Sequence, residues 1–388
     1  MMFHLSRLGF NLENWHAKPA KGRQLFEALD GMRGLAILMV VSTHTVPFLY
    51  MDTPLKRIMC FFSTNGTLGV WLFFVLSGFL ITLPFFKRVG SATGEWCPHG
   101  YVLRRAAKVI PPFYVSIWVM GLFVFSQRHD WHVFRTALMT MAFLHAFWDL
   151  RPPITPLYWS LAAEVTFYCA VPFIFYLGRR RLRGRPWIVP AVLIGSSLVT
   201  LALSNQTVRD TYPFVRGVLL IFVFFGWGAL FSCFFTVLPK TAFRGMIRWG
   251  PFLGLIGFLC SCLMETHLWL AKGSSLSLSP YAALWTNVFG LSVFLMLFVV
   301  YFERDWIGRL FCTPLLVVAG LVSYEWYLFH LLFIGFSNFI TGSDLHGSYP
   351  RLCIRIFFAF PVAFVFSALF YRFFSLPILR WAHRPSRQ

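Results

Sequence analysis

The sequence predicts an all-α polytopic integral membrane protein, about ten transmembrane helices in one domain. Three observations predict it. Of the 388 residues, 58% are hydrophobic and only 12% charged, against roughly 25% charged in an ordinary soluble domain. The apolar excess extends from residue 35 to residue 374 without a polar block long enough to fold separately. Within it, runs of about 17 to 25 residues, the length that crosses a hydrocarbon core, recur between short polar breaks. A soluble fold is excluded. The net charge of +20 does not indicate nucleic acid, because the 34 Lys and Arg residues cluster between apolar runs, where membrane proteins keep topology signals.

In chain order, candidate spans lie at 35–51, 66–86, 110–126, 157–178 and 187–204, then at 213–237, 250–270, 281–302, 314–340 and 352–374. A shorter stretch, 133–148, contains Arg135 and His145 and sets the parity. With the N-terminus inside and this stretch not crossing, 24 of the 34 basic residues face the cytoplasm. A full crossing there would put Arg179, Arg180, Arg181, Arg183 and Arg185 outside. The stretch is therefore re-entrant or interfacial. Residues 1–32 form a cytoplasmic N-terminal segment, 33–375 the transmembrane domain and 376–388 a short basic cytoplasmic tail. Both termini are then cytoplasmic, and the protein sits in the inner or plasma membrane among lipid. The first 34 residues hold several charges and no small-residue cleavage site, so they do not read as a signal peptide. The eight cysteines are scattered and lack metal spacing, so no metal site is expected.

Ionisable residues inside spans cost about 2.5 kcal/mol or more at the bilayer centre, so each needs a reason. Arg33 and His44 are eleven residues apart, which places them on one helix face with a rise of about 16 Å. Arg33 then lies at the cytoplasmic boundary and His44 near the midplane. They read either as a snorkelling arginine with an internally bonded histidine or as a functional pair. In FFVLSGFLIT at 73–82, Ser77 and Gly78 fall near the depth of His44 and read as close packing or, for Ser77, as a nucleophile. YWSLAAEVTFY at 158–168 puts Glu164 and Tyr168 one turn apart. A buried carboxylate needs a partner, and His44 is the candidate by depth. Such a pair suits proton transfer at a hydroxyl, or it merely fixes helix register.

In SYEWYLFH at 323–330, Tyr324, Tyr327 and His330 recur every three residues on one surface, with Glu325 pointing away. The segment YVLRRAAKVIPPFY at 101–114 reads as a cytoplasmic loop carrying Arg104, Arg105 and Lys108 before a span that begins at its Pro-Pro step. That cluster marks topology or lipid head groups, or else binds phosphates.

In this order on a ten-span chain, the motifs resemble the membrane acyltransferase 3 family over about residues 27 to 375. The match rests on Arg33 with His44, on Phe73 to Ile81, and on the Arg104, Arg105 and Lys108 cluster, whose last position departs from the family's arginine. It also rests on Trp159, Ser160, Leu161, Glu164 and Tyr168, and on Ser323, Tyr324, Tyr327, Leu328 and His330. The resemblance implies transfer of an acyl group, usually acetyl, from cytoplasmic acyl-CoA to a hydroxyl of a carbohydrate or other envelope or secreted molecule. It implies Arg104, Arg105 and Lys108 on the CoA phosphates, helped by Arg33, with His44 as general base oriented by Glu164. Ser77, Trp159, Tyr168, Tyr324, Tyr327 and His330 would line the acceptor side. Some members of that family carry a further soluble domain, so this chain is expected to act alone or with a separate extracytoplasmic partner. The rival class is a proton-coupled secondary transporter, since buried His and Glu also make proton relays.

Overall fold

The computed structural model describes residues 23–46, 54–89, 100–143, 157–182, 185–202, 213–272, 282–301, 306–341 and 349–383. Among these, every regular element is helical. A lipid-embedded chain must satisfy its backbone within each segment, and helices do so. In order they are α1 (Arg23–Thr45), α2 (Pro54–Thr64), α3 (Gly66–Val89), α4 (Tyr101–Arg128), α5 (His132–Met141), α6 (Tyr158–Leu182), α7 (Ile188–Ala202) and α8 (Pro213–Val237). There follow α9 (Arg244–Lys272), α10 (Ala282–Met296), α11 (Trp306–Phe311), α12 (Pro314–Leu321) and α13 (Ser323–Thr341). The last helix is α14 (Tyr349–Ile354), α15 (Phe360–Phe370) and α16 (Leu376–Ala382), joined by π-helical turns at Arg355–Ala359 and Tyr371–Ser375.

Among the described residues, each of the ten apolar stretches falls mainly on helix, but length and apolarity qualify seven helices as spans, or eight if a bent pair counts as one. That pair is α12 and α13, expected as one span at 314–340. They meet at 80°, where Val322 leaves helical geometry at φ −94° and ψ 7°. Two other expectations also change. The segment at 101–114 is no loop: α4 starts at Tyr101 behind Gly100, whose φ is 62°, and continues through Pro111 and Pro112. In α1, which starts at Arg23 rather than near residue 35, His44 occupies the last turn. Of the stretch 133–148, α5 contributes nine residues, a rise of about 14 Å and so about half a hydrocarbon core. Residues 144–148 lie outside the described residues, as does 47–51 of the first stretch.

The chain divides into two compact units. The first comprises Met1–Gly66, Gly100–Ser160 and Phe311–Gln388, the second Thr67–His99 and Leu161–Leu310. In the first unit α1 packs most intimately on α12, and α13 packs on α1, α4 and α15. The α1–α12 seam is backbone against backbone: a Cβ on Gly34 would meet the Leu316 carbonyl at 2.0 Å, and one on Gly320 the Asp30 carbonyl at 1.7 Å. Small residues are what permit that approach. In the second unit α8 packs on α7 and α10, and α9 on α10. Its core is aromatic, with Phe167 stacked on Phe225 at 4.0 Å and Trp71 on Phe224 at 4.6 Å. Each such pair adds about 0.5–1.5 kcal/mol beyond burial.

Candidate functional site

In the first unit the α1 and α13 helices bring two histidines together. His44 Nδ1 lies 2.8 Å from the Val40 carbonyl and 3.4 Å from His330 Nε2, with ring centroids 5.1 Å apart. His330 is fully buried, and its Nδ1 lies 3.0 Å from the Trp326 carbonyl and 2.9 Å from that of Tyr327. Carbonyls only accept, so the bonds assign the tautomers. His330 carries its proton on Nδ1 and presents a lone pair at Nε2. His44 likewise carries its proton on Nδ1, shared between the Val40 carbonyl and His330. The lone pair of His44 is therefore at Nε2, which no described residue bonds. In sequence the pairing was invisible, because 286 residues separate the two rings.

The tyrosines of the same stripe brace the helix. Tyr324 Oη donates to the Val109 carbonyl at 2.9 Å, tying α13 to α4. Tyr327 Oη donates to the Leu157 carbonyl at 2.7 Å and lies 2.6 Å from Ser160 Oγ, tying α13 to the start of α6. Trp159, between them in sequence, is exposed at 43%.

Arg104, Arg105 and Lys108 occupy the first two turns of α4, all partly exposed. The Arg105 guanidinium sits 5.9 Å from the Tyr101 ring centroid. Two acids missed as partners lie nearby. Arg33 Nη1 is 3.9 Å from Asp30 Oδ1. Asp30 belongs to the segment before the first apolar stretch, and burial pushes its carboxyl up to about 6 against the opposing pull of Arg33 and then Lys108. Glu325 is 2% exposed and has Lys108 and Arg33 as its cationic neighbours. The sequence signal was present in both cases: a carboxylate among apolar residues must find a cation.

In the second unit Glu164 accepts from two hydroxyls on one oxygen. Ser77 Oγ donates to Oε1 at 2.8 Å, and Tyr168 Oη donates to the same atom. Gly78 beside Ser77 makes a packing contact, since a Cβ there would meet the Phe225 carbonyl at 2.3 Å. Ser77 thus serves as a donor to Glu164 next to a close helix crossing. The pairing of Glu164 with His44 expected by depth joins residues of different units. Within its own unit each has the partners just given.

Residues 26–372 match the acyltransferase domain family of the acyltransferase 3 type. The chain is 24% identical over 396 residues to the "Putative O-acetyltransferase" of Staphylococcus aureus (strain COL), covering 92% of this chain and 58% of that protein. It thus spans under two thirds of the staphylococcal relatives it matches. It is 24% identical to Nodulation protein 10 of Rhizobium leguminosarum bv. viciae, over 78% of this chain and 81% of that one. To Acyltransferase MdmB of Streptomyces mycarofaciens it is 28% identical, over 46% of each. No solved structure matches.

Proposed function

Because the chain belongs to the acyltransferase 3 family, we propose that it is a membrane O-acyltransferase moving an acyl group, most simply acetyl, from cytoplasmic acyl-CoA to a hydroxyl of a carbohydrate or other envelope or secreted molecule. The observation that carries the reading to a mechanism is the bare Nε2 of His44, held in its basic tautomer by the Val40 carbonyl and His330. In the reaction, His44 Nε2 takes the proton of the acceptor hydroxyl as its oxygen attacks the thioester carbonyl. The new C–O ester bond forms, the C–S bond breaks, and the departing CoA thiolate regains the proton from the imidazolium. His330 Nε2 accepts the Nδ1 proton of His44 throughout, so the positive charge that develops on the ring meets a lone pair.

Arg104 and Arg105 hold the donor phosphates, for which guanidinium forks are shaped. Lys108 and Arg33 add positive charge but share it with Asp30 and Glu325. Glu164, with Ser77 and Tyr168 on one oxygen, contributes to acceptor recognition, while Tyr324 and Tyr327 act as braces. On the positive-inside arrangement both termini lie in the cytoplasm. The test is acceptor-dependent consumption of acetyl-CoA by the purified, reconstituted chain. Wild type should consume it and His44→Ala should not, although the variant folds and still binds acetyl-CoA. A folded His44→Ala protein with wild-type turnover removes the assignment.

A further inference from the structure

At the same end of the first unit as His44, the last helix carries two buried arginines, Arg351 at 3% and Arg355 at 8% exposure. They are four residues apart on one helix face, and Arg355 opens the π-helical turn Arg355–Ala359. Arg355 Nη2 donates to Asn338 Oδ1 at 2.8 Å, and Nη1 lies 3.5 Å from the carbonyl of Thr45, the residue after His44. Among the described residues, Arg355 Nε is buried without a partner. Arg351 Nε donates to Thr341 Oγ1 at 3.1 Å. The charged neighbour acting on Arg355 is Arg351, a like charge.

A guanidinium cannot shed its charge, and a buried charge held only by neutral dipoles beside a second cation is costly. Arg33 shows the contrast, with Asp30 at 3.9 Å. An anion with two oxygens, a carboxylate or a phosphate, would complete the Arg355 environment through its free N–H and offset the repulsion from Arg351. On the positive-inside arrangement this end faces away from the cytoplasm, so the CoA phosphates held near Arg104 are on the other side. We propose that Arg355, with Arg351, binds a carboxylate or phosphate carried by the acceptor and thereby sets its hydroxyl beside His44: the substrate class is an anionic hydroxyl compound. This rests on the acyltransferase reading. The phosphate of a surrounding lipid is the other source of the same chemistry, but both side chains are turned inward rather than to the lipid rim.

The experiment uses the full chain in dodecyl maltoside, which carries no anionic group, at constant ionic strength set with chloride. D-glucuronate and inorganic phosphate should each raise the melting temperature of wild type, methyl glucoside should not, and Arg355→Gln should abolish the rise. Acyl transfer from acetyl-CoA should favour glucuronate over methyl glucoside about tenfold, a preference lost in Arg355→Gln and partly kept in Arg355→Lys. No anion effect on wild type, or an equal effect on a folded Arg355→Gln protein, overturns the site. An Arg355-dependent rise produced by added phosphatidylglycerol and not by glucuronate assigns it to lipid and overturns the acceptor proposal. An Arg355-dependent rise with glucuronate in a protein that transfers no acyl group instead overturns the acyltransferase reading and, with it, the acceptor role.

Discussion

Replacing His330 by leucine removes the lone pair that faces His44 while keeping an apolar side chain of similar bulk in a fully buried place. The size of the effect follows from the two bonds on His44 Nδ1. The Val40 carbonyl at 2.8 Å remains in the variant and still dictates the tautomer. What is lost is the longer contact at 3.4 Å. A hydrogen bond to a charged group contributes about 1.5–3 kcal/mol, and a stretched one belongs at the low end. Since about 1.4 kcal/mol is one decade in rate, kcat for acyl transfer should fall about tenfold. It should not approach the roughly ten-thousandfold loss seen when a buried orienting group that fixes a catalytic histidine's tautomer is removed. The assay is acetyl transfer per folded molecule at saturating donor, with KM for acetyl-CoA measured alongside. KM should stay constant, because His330 acts through His44. His330→Gln, which offers an amide oxygen to Nδ1, should recover part of the rate. If His330→Leu is as dead as His44→Ala, then His330 rather than His44 takes the proton. If it keeps full activity while folded, the contact has no catalytic consequence.

Neutralising Arg104 and Arg105 together to Gln should raise the acetyl-CoA concentration needed for half-maximal activity by ten- to a hundredfold and leave acceptor dependence alone; an unchanged donor curve returns the pair to topology. Glu164→Gln should keep the fold, since the amide oxygen still accepts from Ser77 and Tyr168, yet should raise the acceptor KM at least severalfold; equal kinetics would leave Glu164 a structural group. Gly34→Ala puts a methyl 2.0 Å from the Leu316 carbonyl and should cost about 1–3 kcal/mol, read as a lower melting temperature; an unaltered one would show that the seam has slack. For Asp30, burial pushes the folded carboxyl up to about 6 from an ordinary 3.8. The folded form therefore binds its proton more tightly, so stability from this group is fullest below about 4 and is lost as pH rises through 6, by up to about 3 kcal/mol. The melting temperature of wild type relative to Asp30→Asn should fall between pH 4 and 7 and level off above; a flat difference refutes it.

Hydropathy located the helices because the bilayer imposes one polarity on each, and within the described residues every apolar stretch is mainly helical. It failed where a local pattern has two continuations. Residues 314–340 are apolar apart from a few polar positions such as Glu325 and His330, and no Pro marks the break at Val322. Nor does a proline pair announce whether it opens a helix or lies inside one, as Pro111 and Pro112 do in α4. At the site, motif order singled out His44, His330, Ser77, Glu164 and Tyr168, each of which has a close polar partner. Who meets whom depends on the rotation of one helix against another, which sequence spacing along a single helix does not record. That is why neither the contact of His330 with His44 nor that of Asp30 with Arg33 is legible along a single helix. Arg355 carried the plainest signal, a basic residue four positions into the tenth apolar stretch, but counting it toward topology concealed its burial.

The break between α12 and α13 has an electrostatic effect. A helix that starts in the middle of an apolar run brings its uncapped N–H groups and the positive end of its peptide dipoles to a place a continuous helix would leave neutral. Glu325 stands in that opening turn of α13. Its carboxyl thereby faces the positive end of the backbone as well as Lys108 and Arg33, whereas one straight helix over 314–341 would leave it to the side chains alone. Non-helical backbone at such depth is tolerated only where protein encloses it, and here the enclosing wall is α1, pressed against α12 without a single Cβ at Gly34 or Gly320 between them. The bend thus works as a fixed local source of positive potential, built from peptide groups that no change of pH can discharge.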